Sequence, residues 1–109
     1  MGKPTTNLQP AQHLDHLNPL LQHRSRLGAM VLLSGTDALS FVRLRELLKE
    51  TDGNLGAQLR RLEEAEYVNV RKEFNDRKPV SWYSLTTAGR SVLKNHLKAM
   101  ESLIHAAKL

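Results

Sequence analysis

Asn54, Gln58 and Arg61 have side chains suited to hydrogen-bonding the edges of nucleic-acid bases, and they lie close together in the chain. A carboxamide both donates and accepts, which matches adenine in the major groove, and a guanidinium forks onto guanine or clamps a phosphate. Leu55, Leu59 and Leu62, spaced four and three apart, predict a helix over 53–66 with one narrow apolar face. The opposite face then carries Gly53, Asn54, Ala57, Arg60, Arg61 and Glu64, with Gln58 on the flank. Gly53 and Ala57 are small enough to let the backbone approach closely. A helix in a groove places its N-terminal half nearest the bases. Asn54, Ala57, Gln58 and Arg61 are therefore candidate base contacts, with the acidic end at 63–66 outside the groove. Ser40, Arg43, Thr51, Gly53 and Arg60 are candidate phosphate-backbone contacts. Taken alone, the same face also fits an ordinary solvated helix surface.

After this helix the period changes from about 3.6 to 2. Valines alternate with polar residues in Tyr67–Lys72, and Tyr83 and Leu85 alternate with serines in Val80–Leu85. Asn75–Pro79 reads as a turn-rich loop between them, so the segment is a β-hairpin with a basic tip. Arg71, Lys72, Arg77 and Lys78 project from it as further candidate contacts to phosphates or the minor groove. A solvated loop is the plainer reading of the same charges. With Tyr83 facing the core, Trp82 faces outward, where it can stack on Arg71 across the hairpin.

Other elements position these groups. Ser40 is suited to cap a helix over 41–50 with Phe41, Leu44, Leu47 and Leu48 inward. Thr51-Asp52-Gly53 then breaks that helix and caps the next, and two helices joined by a tight glycine-containing turn form a helix-turn-helix. Upstream, Asn18-Pro19 starts a short helix over 19–22 that continues or kinks into a firmer one at 24–34. Leu27, Met30, Val31 and Leu33 form the buried stripe of that helix, and Ala38-Leu39 makes a very short strand. Thr86-Thr87 caps a last helix of roughly 87–107, along which Leu93, Leu97, Met100, Ile104 and Ala107 recur as a heptad-like seam. Residues 1–12, polar and with two prolines, read as a flexible arm ahead of a single domain over 13–109.

Composition bounds the function. The chain has 109 residues, a formal net charge of +5 and no cysteine, which leaves no thiolate metal site, disulfide or cysteine nucleophile. Residues 40–90 are charge-dense, with ten Lys/Arg against eight Asp/Glu. No signal peptide or membrane-spanning run is visible, which points to a cytoplasmic protein. Met1–Thr6 fits a myristoylation pattern, read as chance because nothing beside it supports a membrane role. No cofactor, metal or catalytic constellation emerges: the serines lack a nucleophile turn, and Glu63-Glu64 lie on a charged helix surface. His13, Asp15, His16 and His23 match no familiar zinc spacing, and His96 and His105 flank a packing surface.

Thr51-Asp52-Gly53-Asn54-Leu55, Leu59-Arg60-Arg61-Leu62-Glu63-Glu64-Ala65 and Tyr67-Val68 resemble the recognition helix of the small MarR/ArsR-like winged-helix regulators. Pro79–Thr86 and Ala88-Gly89-Arg90 match the second wing strand of that family and the opening of its last helix. Glu66 departs from the pattern, standing where the family usually has glycine, which puts the exact turn there in question. The resemblance covers roughly residues 15–105. It implies an α+β, mainly α winged helix-turn-helix with a two- to three-stranded β-wing and a long C-terminal helix. It further implies a dimeric prokaryotic transcriptional regulator that binds double-stranded DNA.

On this reading Leu14, Leu17, Leu20, Leu21, Leu93, Leu97, Met100 and Ile104 join two subunits. A separate sensing domain does not fit in 109 residues, so a small-molecule effector would bind at the subunit interface or the domain would act without one. The alternatives are a winged helix used as a protein-interaction module and a KH-like RNA-binding domain. Gly53-Asn54-Leu55-Gly56 supplies the GxxG of the latter, but no basic residue lies inside it and the strand before residue 40 is barely two residues long.

Overall fold

A computed structural model describes residues 9–109. The helices are α1 (Gln9–Asp15), α2 (Arg24–Ser34), α3 (Phe41–Leu48), α4 (Asp52–Glu64) and α5 (Thr87–Ala106), with a 3-10 turn at Pro19–Leu21. The strands are β1 (Leu39–Ser40), β2 (Val68–Asn75) and β3 (Lys78–Leu85), in one antiparallel sheet of order β1-β3-β2. The fold is therefore α+β and mainly α, and the sheet is three-stranded. The expected arm is helical over its last residues, because α1 runs along α5. The rest of that arm, with Met1–Thr6, lies outside the described residues.

The core gathers one face from each element. Leu21, Met30, Leu33, Leu44, Leu55, Leu59 and Leu62 are inaccessible or nearly so, and Val68, Tyr83 and Leu93 close the cluster. Two apolar positions depart from expectation. Val31 on α2 and Leu47 on α3 are exposed. The buried face of α2 is instead Ser25, Arg26, Ala29, Met30 and Leu33. A stripe counted from apolar residues alone misses this face, because two polar side chains belong to it and find partners inside.

The turn chemistry also differs. Thr51 caps α4 as expected, its hydroxyl accepting from Asn54 N–H at 3.2 Å. Gly53, however, lies inside α4, and the break after α3 is made by Lys49 at φ 56°. Glu66 itself adopts φ 64°, so the residue that replaces the family's usual glycine takes the left-handed conformation glycine would ease. The loop expected over Asn75–Pro79 is a two-residue turn. Asn75 pairs with Lys78 and Phe74 with Pro79. Asp76 and Arg77 both have positive φ (53° and 67°), as a type I′ hairpin requires.

At the start of α5, Thr86 N–H donates to the Tyr67 carbonyl at 3.1 Å and its hydroxyl to the Glu66 carbonyl at 2.8 Å. The same hydroxyl caps α5 by accepting from Gly89 N–H. A Cβ on Gly89 would overlap the Tyr67 carbonyl oxygen, so α5 can pass the backbone just before β2 only with glycine there. Gly89→Ala is expected to destabilise the fold by about 3 kcal/mol, read from denaturant midpoints.

His96, buried on α5, holds the segment before the 3-10 turn: its Nδ1 accepts from Asn18 N–H at 2.9 Å. Asn18 also donates from Nδ2 to the Tyr67 hydroxyl at 3.3 Å. The bond to Nδ1 needs an unprotonated acceptor, and burial lowers the His96 pKa from its ordinary value. The unfolded chain therefore binds the proton more readily than the folded one. The stability that neutral His96 contributes is complete above about pH 6.5 and is lost as pH falls from there through the lowered folded value. The melting temperature should drop between pH 7.5 and 5.5, and His96→Gln, which keeps an acceptor but cannot titrate, should flatten that drop.

Candidate nucleic-acid interface

α4 turns Leu55, Leu59 and Leu62 into the core and leaves Gly53, Asn54, Ala57, Arg60 and Arg61 exposed, with Gln58 half-buried between the faces. The wheel drawn from sequence is thus the observed one. β2 follows α4 in the chain and carries exposed Arg71 and Lys72, while exposed Arg77 lies in the hairpin turn and exposed Lys78 opens β3. A cleft of about 590 Å³ separates α4 from the hairpin. Arg60, Glu63 and Glu64 line it from the helix, and Val70, Lys72 and Ser81 from the strands.

The cations divide by partner. Arg43 lies 3.5 Å from Glu46, Arg45 2.7 Å from Asp52 and Arg71 3.1 Å from Glu73. Arg60, Arg61, Lys72, Arg77 and Lys78 have no ion pair among the described residues. An unpaired exposed cation meets a phosphate without first giving up a carboxylate, so these five suit a polyanion better than Arg43 or Arg71. Arg71 faces Trp82 in the strand register, but its guanidinium turns to Glu73 rather than stacking on the indole. Trp82 is half-buried rather than outward, with Nε1 shielded from solvent and without a hydrogen-bond partner. Ser40 and Thr51 hydroxyls serve as caps for α3 and α4, accepting backbone N–H groups while their own protons stay free to donate.

Sequence reasoning missed the polar groups beneath this face. Glu50, in the turn between α3 and α4, accepts from Asn54 Nδ2 at 2.6 Å, from Arg24 at 3.3 Å and from the Ser25 hydroxyl. The hydrogen bonds from Ser25 and then Asn54 lower its pKa below the ordinary carboxylate value. Arg26, only 7% exposed, donates to the Leu20 carbonyl at 2.6 Å and to Gln58 Oε1. Burial first, and the neighbouring Arg61 cation second, lower the Arg26 pKa. The four-residue spacing of Glu50 and Asn54 was visible in the chain, whereas no local pattern links Arg26 to Gln58, 32 residues away.

The terminal surface needs one correction. Leu21 and Leu93, expected between subunits, are 0% and 4% exposed within the protomer's own core. The core-facing row of α5 is Gly89, Leu93, His96 and Ala99, and Leu97, Met100 and Ile104 lie on an adjacent, exposed row. Leu14 is exposed, and Leu17 and Leu20 are half-buried. Among the described residues no three His, Cys, Asp or Glu side chains are grouped to hold a metal, so His13, Asp15, His16 and His23 do not converge. Within those residues no helix is long and apolar enough to cross a membrane.

Known proteins share this arrangement. The chain is 33% identical over 72 residues to an uncharacterised protein of Methanocaldococcus jannaschii, an alignment covering 66% of this chain and 78% of the other. A transcriptional regulator homologue from Pyrococcus horikoshii superposes with a TM-score of 0.83 at 27% identity, over 90% of this chain and 99% of that one. The fold of Escherichia coli MarR in its apo form is also similar, with a TM-score of 0.70 at 22% identity over 93% and 74% of the two chains. The profile of the winged helix DNA-binding domain matches residues 25–104. With its helix-turn-helix, β-wing and long last helix, the chain belongs to that family, and its structural neighbours include MarR-family transcriptional regulators.

Proposed function

We propose that the protein is a homodimeric, sequence-specific transcriptional regulator of a prokaryotic cytoplasm, with α4 in the major groove and the β-wing on the adjoining backbone or minor groove. The observation that carries this reading is the exposed row Asn54, Ala57 and Arg61 with half-buried Gln58 on its flank, opposite a buried leucine face and accompanied by unpaired cations on helix and hairpin. On this reading Arg61 contacts a base, while Arg60, Lys72, Arg77 and Lys78 neutralise phosphates. The transcriptional regulator homologue from Pyrococcus horikoshii, alike over nearly its whole length, supports the same function.

The two kinds of contact have different signatures. Arg61→Ala should relax base choice at one position, at a cost of about 1–3 kcal/mol for the preferred duplex. Arg77→Ala should weaken binding to every duplex and reduce the salt slope by about one unit. Footprinting followed by salt-dependent titration of wild type and both variants checks this. Equal wild-type affinity for all duplexes would overturn the regulator reading and favour a protein-interaction role.

For the dimer, the supporting feature is the exposed apolar row Leu97, Met100 and Ile104 of α5, with Leu14 of α1 exposed as well. Two-fold pairing through terminal helices would set two copies of α4 on half-sites about one helical turn, roughly 34–36 Å, apart. Sedimentation at micromolar concentration should report a dimer. Leu97→Asp with Ile104→Asp, both exposed in the protomer, should yield a folded monomer; a wild-type chain that sediments as a monomer would refute the pairing.

A further inference from the structure

Two amide side chains of α4, exposed Asn54 and half-buried Gln58 on the flank, are each held at one end by a charged group. Asn54 gives Nδ2 to Glu50, and Gln58 gives Oε1 to Arg26. An ionised carboxylate only accepts and a guanidinium only donates, so these partners decide which way each amide points. Turning Asn54 over would set its oxygen against the Glu50 carboxylate. Turning Gln58 over would set its NH2 against the Arg26 cation.

The partners are themselves fixed from the core side. Ser25 and Arg24 on α2 both donate to the second oxygen of Glu50, leaving the first for Asn54. Arg26 is anchored through Nε on the Leu20 carbonyl. Burial of its side chain leaves little room for another rotamer. The free end of Asn54 is consequently its oxygen, and the free end of Gln58 is its NH2.

We infer that Glu50 and Arg26 are positioning residues that set the polarity of base reading by α4. Asn54 acts chiefly as an acceptor and selects a base with a major-groove amino group, adenine or cytosine. At the base position where carbonyl and amino groups alternate, Gln58 acts chiefly as a donor and favours the carbonyl of guanine or thymine over the amino group of adenine or cytosine. This rests on the reading of α4 as the base-contacting helix. An unconstrained carboxamide turns over freely and accepts either class, so the fixed partners add discrimination without touching DNA.

Glu50→Gln tests the inference most directly, because the replacement keeps the shape while its amide both donates and accepts. In vitro selection on wild type should return a base pair with amino-over-keto preference of about tenfold that Asn54→Ala removes. Glu50→Gln should reduce that preference to about twofold at the same base pair, with the salt slope unchanged. The double variant with Asn54→Ala should lose nothing more there. At the Gln58 base pair, Arg26→Lys, which still only donates, should keep the keto preference. Arg26→Gln should relax it.

A preference profile unchanged by Glu50→Gln would overturn the inference while leaving DNA reading by α4 intact. A uniform loss of affinity for all duplexes with the profile preserved would do the same, since that is what a merely structural role predicts. A wild-type profile without preference at any base pair would remove the base-reading function itself.

Discussion

Four segments of the chain meet at Thr86. Its backbone N–H and hydroxyl bind the carbonyls of Tyr67 and Glu66, where α4 has ended and β2 begins, while the same hydroxyl caps α5. One residue, through backbone and side chain together, thereby ties the exit of α4, both strands of the hairpin and the entry of the last helix. Gly89 makes the meeting sterically possible, because the Tyr67 carbonyl occupies the place of a side chain. The angle between α4 and the hairpin follows from this junction. So does the direction in which α5 runs back along α1. Groups on helix and hairpin can act on one partner only while that angle is held.

Below α4 the fold accepts an unusual cost. Arg26 is a cation carried into the side of the core, and desolvation of such a group is repaid only by well-placed acceptors. The Leu20 carbonyl and Gln58 Oε1 supply them, joining the 3-10 turn to the exposed helix. Glu50 plays the complementary part at the other end of the same face, compensated by Arg24 and Ser25. The exposed face of α4 thus sits on a polar bed whose charges alternate, negative under Asn54 and positive under Gln58.

The fold and this face differed in how far they could be read from the chain. Leu55, Leu59 and Leu62 announced α4 and its orientation, and the period-2 alternation announced both strands, because amphipathic periodicity records burial directly. Terminal details were harder. The helical part of the expected arm takes its order from α5, a tertiary effect that local propensity does not contain. On α5, residues 93, 97, 100 and 104 looked like one seam, yet Leu93 turns inward and the others outward. A strict seven-residue repeat drifts around a straight helix, and packing against two neighbours divides it. Arg26 was illegible for a different reason, since a charged residue enters no apolar count and its partner is distant in sequence.

The four residues with left-handed backbone, Lys49, Glu66, Asp76 and Arg77, are all charged, and no described glycine has positive φ. Each occupies a conformation that glycine would adopt at lower energy. At the hairpin tip this has a particular consequence. The turn there favours Asn-Gly, and the chain puts Asp-Arg in its place, keeping a guanidinium at the outermost point of the strand pair. Backbone ease and surface charge are opposed at that one residue: a sequence drifting toward a sturdier hairpin would drift toward a neutral one. The tip is a place where natural variation among relatives can exchange robustness of the fold for grip on a polyanion, one substitution at a time.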